Sequence, residues 1–258
     1  MPGLSVIIPF YNYKQVAKKF VDVAIQTALH WSGVDPEVIV VLDSTEENTG
    51  EEAVDKWQGH PKVRIIKRPR PPRGLQVARI EGLRQATKEY VCVFDADDSS
   101  FRNFKEIQIE ALEKEKAEVC FCQWQLYDSK LVNTDWDITK NTGKYGPGEK
   151  IVHSSDVVYG NVKNNWDNHR YKKVFDPLGG ILLCASWIIK RQTLLDIGLL
   201  DDNRMPQTGE EILHMELDFT YGLVLRTKQA IVHTGQMYLY RTAYNENTNY
   251  GDGDISWK

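Results

Sequence analysis

Tyr90-Val91-Cys92-Val93-Phe94-Asp95-Ala96-Asp97-Asp98 is an apolar run that ends abruptly in three carboxylates. An unbroken run of β-branched and aromatic residues predicts a strand buried on both faces, as in a parallel sheet. The chain before it repeats the theme. Leu4-Ser5-Val6-Ile7-Ile8 predicts a first strand stopped by Pro9, and Glu37-Val38-Ile39-Val40-Val41-Leu42 a second. Val63-Arg64-Ile65-Ile66 predicts a third. Between the first two, Val16, Phe20, Ala24 and Ala28 recur at helical spacing, and Ala17, Val21, Ile25 and Leu29 widen the stripe. Residues 51–57 and 75–87 predict two more helices, with Gly74 at the start of the second. Strands alternating with helices imply right-handed crossovers, hence an α/β fold on a mainly parallel sheet. Ligands on such sheets bind beyond the carboxyl ends of the strands. Pro9-Phe10-Tyr11-Asn12, Asp43-Ser44-Thr45 and Asp95-Ala96-Asp97 all fall there.

The second half is less regular. Residues 101–116 read as a helix and 118–126 as a strand. Residues 128–176 are rich in Asn, Lys, Gly, Asp and Trp with weak periodicity, which suggests functional loops or an insertion. Residues 181–189 are apolar and strand-like, 210–225 helical, and 230–241 alternate as a strand. No repeat or linker divides the chain. It reads as one domain over 1–258.

Composition narrows the function classes. The chain has 258 residues, 41% hydrophobic and 26% charged, which is globular usage. A net charge of −4 argues against nucleic acid as a partner. Four cysteines are too few for a disulfide scaffold, and Cys120 and Cys122, astride Phe121, read as small buried hydrophobes. The longest apolar run, 181–189, is about half of the roughly 18–20 residues a membrane span requires. With no leader pattern at the N-terminus, the expectation is a cytoplasmic protein without a transmembrane segment, for which peripheral membrane contact stays open.

The carboxylates after the fourth strand carry the first chemical signal. Carboxylate oxygens are hard ligands that suit Mg²⁺ or Mn²⁺, ions that take one or two protein carboxylates and complete their shell with phosphates and water. Asp95 and Asp97 therefore suit a site for a nucleoside diphosphate. The alternative is a strand-ending turn in which Asp97 or Asp98 caps the helix near Phe101.

The order of motifs adds to this. Leu4 to Asn12, then Glu37 to Ser44, then Gly74-Leu75-Gln76-Val77-Ala78-Arg79-Ile80-Glu81-Gly82-Leu83, then Asp95-Ala96-Asp97-Asp98, together resemble the family 2 glycosyltransferases. The resemblance implies a GT-A fold, a nucleotide-sugar donor, a divalent metal (Mn²⁺ or Mg²⁺) held by Asp95 and Asp97, and inversion at the anomeric carbon. It implies further that Pro9, Phe10, Tyr11 and Asn12 line the nucleoside pocket, with core packing as the alternative for Phe10. Asp43 would accept the N3–H of uracil, or else form a local Asx-turn. Arg79 would approach the diphosphate or support Asp95, beside Ala96. Leu42-Asp43-Ser44-Thr45 departs from the family's usual Asp-Asp-Gly-Ser, and Ile80 replaces a frequent Asn.

Lys62, Arg64, Lys67, Arg68, Arg70 and Arg73 form a basic cluster that either screens donor phosphates or is a solvated loop. Glu210-Glu211 opens a predicted helix where the family carries a Glu-Asp pair, so Glu211 aligns with the catalytic base, and Glu210 is its neighbour. The alternative is a pair that serves the helix dipole. His214 and His233 are further metal candidates, each more readily a packed histidine. Trp166 is a candidate for stacking on acceptor sugar, whereas Trp187 reads as core.

The implied activity is transfer of a sugar, most simply from a UDP-sugar, to a saccharide or lipid-linked acceptor in glycan or polysaccharide biosynthesis. Two rivals stand beside it. A sugar-1-phosphate nucleotidyltransferase would require a Gly-rich basic loop after the first strand, where Pro9-Phe10-Tyr11-Asn12 stands instead. A non-catalytic nucleotide- or glycan-binding relative would fit the Glu210-Glu211 departure.

Overall fold

The computed structural model describes residues 1–11, 17–43, 50–68, 74–128, 151–153, 159–161, 172–174, 185–200, 219–220, 222–224 and 226–243. Strand β1 (Gly3–Phe10), helix α1 (Ala17–Leu29) and strand β2 (Asp35–Leu42) open the chain. Helix α2 (Glu51–Val54) passes into a 3-10 turn (Asp55–Trp57), followed by β3 (Val63–Lys67), α3 (Leu75–Arg84) and β4 (Tyr90–Val93). Then come β5 (Ser99–Ser100), α4 (Phe104–Lys114), β6 (Val119–Asp128), β7 (Ile151–His153), β8 (Tyr159–Asn161) and β9 (Lys172–Val174). Strand β10 (Trp187–Lys190), helix α5 (Arg191–Asp196) and β11 (Ala230–Ala243) complete the described elements.

Nine of these strands form one sheet in the order β3-β2-β1-β4-β10-β6-β11-β5, with β7 also paired to β11. Strands β8 and β9 pair separately. The first four sheet strands are parallel, as their apolar runs predict. Beyond β4 the sheet turns mixed. Strand β10 runs antiparallel to both β4 and β6, while β11 is parallel to β6 and antiparallel to β5.

Pro9 does not stop the first strand as expected. β1 continues to Phe10, with Pro9 opposite Val41. The Ile7 carbonyl accepts from Phe94, so Ile7 and Pro9, two residues on, both face the β4 side. β4 has already ended there, at Val93, so the missing N–H of Pro9 leaves no broken ladder. The Phe10 carbonyl faces β2 instead and accepts from the Asp43 amide.

Three predicted helices are shorter than their patterns. Residues 51–57 divide into one α-turn and a 3-10 turn. The 75–87 helix ends at Arg84, because the Thr87 and Lys88 amides turn to the Ser5 hydroxyl instead of helix carbonyls. The 101–116 helix starts at Phe104, since the Phe101 amide donates to the Met237 carbonyl and so belongs to the sheet edge. Its end is marked by Lys116 at φ +53°, a left-handed residue that ends the helix.

Helices α1 and α3 cover the parallel strands. Val21, Ala24, Ile25 and Ala28 of α1 are buried, as are Val77, Ala78, Ile80 and Leu83 of α3. Ile80, the departure from the family pattern, is thus a core residue. Wholly buried Ile7, Ile8 and Ile39 are each worth roughly 1.5–3 kcal/mol of burial. Cys120, Cys122 and Trp187 are buried as expected, and Cys92 joins them. No helix among the described residues is long and apolar enough to cross a membrane.

Two predictions follow from this packing. A Cβ built on Gly82 of α3 would lie 2.5 Å from Ile7 Cγ2 and 3.0 Å from Val41 Cγ2. Gly82→Ala should therefore lift α3 off β1 and β2 and cost about 1–3 kcal/mol in a urea titration; an unchanged midpoint would contradict the seating of α3. Burial also pushes the Cys92 thiol up to about 11 and raises that of Cys120. Both should resist a thiol reagent at pH 8 in the native protein and react only on unfolding.

Candidate active site

Three adjacent parallel strands, β2, β1 and β4, deliver the candidate residues to one lip of the sheet. Their spacing is roughly 4.8 Å per strand, so the end of β2 lies about 10 Å from the end of β4. Pro9 and Phe10 end β1, and both are buried, Phe10 within the core. Tyr11, half-buried, follows at the mouth. Asn12 lies outside the described residues.

Asp43 is the first residue past β2, and its carboxylate holds two distant groups. Oδ1 accepts from Arg68 Nη1 at 2.5 Å, and Oδ2 from the Gly74 backbone N–H at 2.7 Å. Both side chains of the ion pair are about 5% exposed. A buried pair of this kind is held by its geometry, and loss of either partner strands a charge. Arg68 reaches Asp43 because its own amide donates to the Leu42 carbonyl, which extends β3 alongside β2. Gly74 sits at φ +93°, where a side chain would be strained, and so turns its N–H back toward Asp43.

At the other end of the lip, Asp95 leaves β4 and meets Arg79 of α3. Nη2 of Arg79 donates to both Asp95 oxygens, at 2.7 and 2.9 Å, and Nη1 lies 3.4 Å from Gln76 Oε1. The guanidinium is buried while Asp95 keeps 21% exposure. Of the two roles foreseen for Arg79, the geometry displays the support of Asp95. Ala96 and Asp97 follow, each half-buried.

Asp98 points the other way. It is buried, and its Oδ2 accepts from the Tyr238 phenol at 2.5 Å. Its backbone N–H closes a turn onto the Asp95 carbonyl. Burial above all, then the Asp98 charge, raise the Tyr238 phenol well above its ordinary range, so it stays protonated and donates. The cap of α4 is Asn103, so neither Asp97 nor Asp98 caps that helix.

Asp95 and Asp97 are thus two partly exposed carboxylates in one turn. Among the described residues no three His, Cys, Asp or Glu side chains converge on a closed metal cage. Two carboxylates at an open lip fit Mg²⁺ or Mn²⁺, which leave several positions to phosphate and water. His233 lies in β11 opposite Cys122, with burial lowering its pKa.

The basic cluster does not act as one loop. Lys62 pairs with Asp35, Lys67 with Glu51 and Arg68 with Asp43, while Arg64 donates to the Gln85 carbonyl. Each described cation of the cluster thus has a partner of its own. Glu210, Glu211, His214, Trp166, Arg70 and Arg73 lie outside the described residues. Arg68, grouped in sequence with its basic neighbours, and Tyr238, 140 residues from its partner, are the participants the sequence did not single out. No local pattern marks either one, because each is defined by a contact across the sheet.

Comparison with known proteins places this geometry. The sequence matches Glycosyl transferase family 2 over residues 5–198. It is 32% identical over 98 residues to the uncharacterized glycosyltransferase EpsJ of Bacillus subtilis, covering 38% of this chain and 27% of that protein. It is 29% identical over 133 residues to the uncharacterized glycosyltransferase YibD of Escherichia coli, covering 52% of this chain and 34% of that protein. The chain thus matches about a quarter to a third of the length of these curated relatives. The crystal structure of S. aureus TarS residues 1–349 superposes with a TM-score of 0.59 at 17% identity, over 93% of this chain and 60% of that one. The same fragment in complex with UDP gives 0.60, over the same shares. The likeness extends to the mixed sheet with flanking helices that defines the GT-A fold. With three quarters of its length inside the family match, the chain belongs to glycosyl transferase family 2.

Proposed function

We propose that the chain is an inverting glycosyltransferase that moves a hexose-type sugar from a nucleoside diphosphate donor to a saccharide or lipid-linked acceptor, in glycan or polysaccharide biosynthesis. The observation that carries this reading is the lip itself. A carboxylate–guanidinium pair ends β2, and two partly exposed carboxylates follow β4, about 10 Å away across β1. A nucleoside diphosphate bridges that span, with its base at one end and its phosphates at the other. UDP-sugars are the first choice of donor. The edge of uracil offers an N–H between two carbonyls, and Asp43 beside Arg68 offers an acceptor beside a donor. TarS, solved in complexes with UDP and with UDP-GlcNAc, supports the same choice.

Within this reading each residue has a task. Asp43 takes the uracil N3–H and Arg68 orients that carboxylate. Tyr11 flanks the base at the mouth of β1, with Asn12 beyond it. Arg79 holds Asp95 in one orientation, so that Asp95 and Asp97 face the diphosphate across Ala96. A divalent ion, Mn²⁺ or Mg²⁺, when held by those two carboxylates supplies Lewis-acid neutralisation of the departing diphosphate. Glu211 accepts the proton of the acceptor hydroxyl as its oxygen bonds to C1 of the sugar and the C1–O bond to the diphosphate breaks. Attack from the face opposite the leaving group inverts the anomeric centre in one step. Residues 1–98 form the donor half and 99–258 the acceptor half. Peripheral contact with a membrane on the cytoplasmic side would suit a lipid-linked acceptor. The nucleotidyltransferase alternative still lacks its Gly-rich basic loop, because β1 ends in Pro9 and Phe10.

Three substitutions test the assignment. Asp97→Asn should weaken Mn²⁺-dependent UDP binding in calorimetry while leaving the thermal midpoint unchanged, and equal affinity would remove Asp97 from the metal site. Asp43→Ala should cost UDP about 1–3 kcal/mol, the worth of a charged hydrogen bond, and spare free pyrophosphate. Loss of both ligands alike would mean that Asp43 does not read the base. Glu211→Gln should bind donor normally yet transfer roughly 10²–10⁴-fold more slowly. Near-normal turnover would move the base to Glu210, or, with both Gln variants active, assign the pair to the helix dipole.

A further inference from the structure

The third carboxylate of the turn, Asp98, has no place in the donor site, yet it is buried at the foot of it. Its partner Tyr238 stands on β11, far along the chain. The contact is part of a longer seam. Ser99 pairs with Leu239 and Ser100 with Tyr238 across β5 and β11, and the Phe101 amide donates to the Met237 carbonyl. Residues 98–101 are therefore bonded to β11 by both backbone and side chain. The Tyr238 ring meets Phe94 and Phe104 edge-on, at centroid distances of 5.9 and 6.1 Å. Trp31 meets the same two rings and donates to the Ser100 hydroxyl at 2.8 Å. The tyrosine is wholly buried among rigid neighbours, so its hydroxyl is a fixed point.

We propose that Tyr238 is a positioning residue for the donor site: by holding Asp98 inward, it sets the Asp95–Asp98 turn so that Asp95 and Asp97 present two carboxylates of fixed spacing. This rests on the reading of Asp95 and Asp97 as the metal-binding pair. The physical reason is charge crowding. Three carboxylates within four residues repel one another, and an Asp98 turned outward would add a third charge to the lip and pull on the backbone that joins it to Asp95. The phenol offsets part of the cost of keeping Asp98 inside. Without it, the buried carboxylate is short of one donor, and turning outward to water relieves it. Asp95 cannot follow without disturbing its two bonds to Arg79.

Tyr238→Phe keeps the ring and its aromatic contacts and removes only the hydroxyl. UDP affinity is to be measured by calorimetry with and without Mn²⁺, on wild type, Tyr238→Phe, Asp98→Ala and Tyr90→Phe. Tyr90→Phe deletes a comparable phenol–carboxylate bond, to Glu113 at 2.6 Å, at the opposite end of β4. The expected result is a loss of roughly ten-fold in Mn²⁺-dependent affinity for Tyr238→Phe, with metal-free affinity unchanged and Tyr90→Phe like wild type. Asp98→Ala leaves no carboxylate to turn outward, so it should keep Mn²⁺-dependent affinity near wild type and restore it when combined with Tyr238→Phe. A selective loss in Asp98→Ala itself would contradict charge crowding even if Tyr238→Phe does not fold. A Tyr238→Phe that keeps wild-type Mn²⁺ dependence or loses affinity equally with and without metal, or a loss that Asp98→Ala does not restore, overturns the positioning role alone. A wild type whose UDP affinity ignores Mn²⁺ overturns the metal reading and this one with it.

Discussion

The Arg79 guanidinium lies buried in α3 with Asp95 as its counter-charge, and much of the structure is arranged so that the two can meet. A buried cation without a partner would cost several kcal/mol, so the pair forms only if α3 is seated closely on the sheet. Gly82 makes that seating close, because its missing side chain admits Ile7 and Val41. The β1–β4 pairing then decides where Asp95 emerges, since Phe94 is still bonded to Ile7. Core packing and the charge at the lip are thus one constraint. The helix cannot shift without separating the pair, and the pair cannot part without leaving charge in the interior.

A second charge pair works the same way at the end of β2. Asp43 ties the extension of β3, through Arg68, to the start of α3, through Gly74. Both ends of α3's approach to the sheet are therefore referred to carboxylates, Asp43 before its first turn and Asp95 beside its second. Under the proposed function this arrangement serves a polyanionic donor. Electrostatic preorganisation works when the groups facing the ligand are already held before it arrives. Here the cations that neutralise Asp43 and Asp95 come from the end of β3 and from α3, and of the two carboxylates Asp95 keeps the greater exposure.

The far half of the sheet contributes differently. Strand β11 runs beside β6 over most of its 14 residues and carries Tyr238 under the Asp95–Asp98 turn. Aromatic rings from four separate elements and loops, Trp31, Phe94, Phe104 and Tyr238, pack edge to face there. Lys105 is buried nearby, its Nζ 3.9 Å from the Phe104 ring centroid and bonded to Gln108 and to the Trp187 carbonyl. Desolvation lowers its pKa, as expected for an ammonium held by neutral groups. This layer packs β11 against the Asp95–Asp98 turn.

Much of the fold over residues 1–98 was legible in the sequence, because its signals are local. Runs such as Val38 to Leu42 and Tyr90 to Val93 can be satisfied only by burial on two faces, and that selects a parallel sheet. The carboxylates at strand ends follow from the same pattern, since a chain leaving a sheet passes its carboxyl end. Pro9 misled because the rule against proline in strands concerns lost ladder bonds, and whether a neighbour stands there is a tertiary fact. The antiparallel insertion of β10 between β4 and β6 was equally invisible, since strand order depends on which edges remain open once helices are placed. The partners of Asp43, Asp95 and Asp98 lie 25, 16 and 140 residues away. Sequence determined which residues could carry charge at the lip. Only the folded sheet decided which of those charges are neutralised from within and which stay partly exposed, because that division depends on distances of a few ångströms between segments with no local relation.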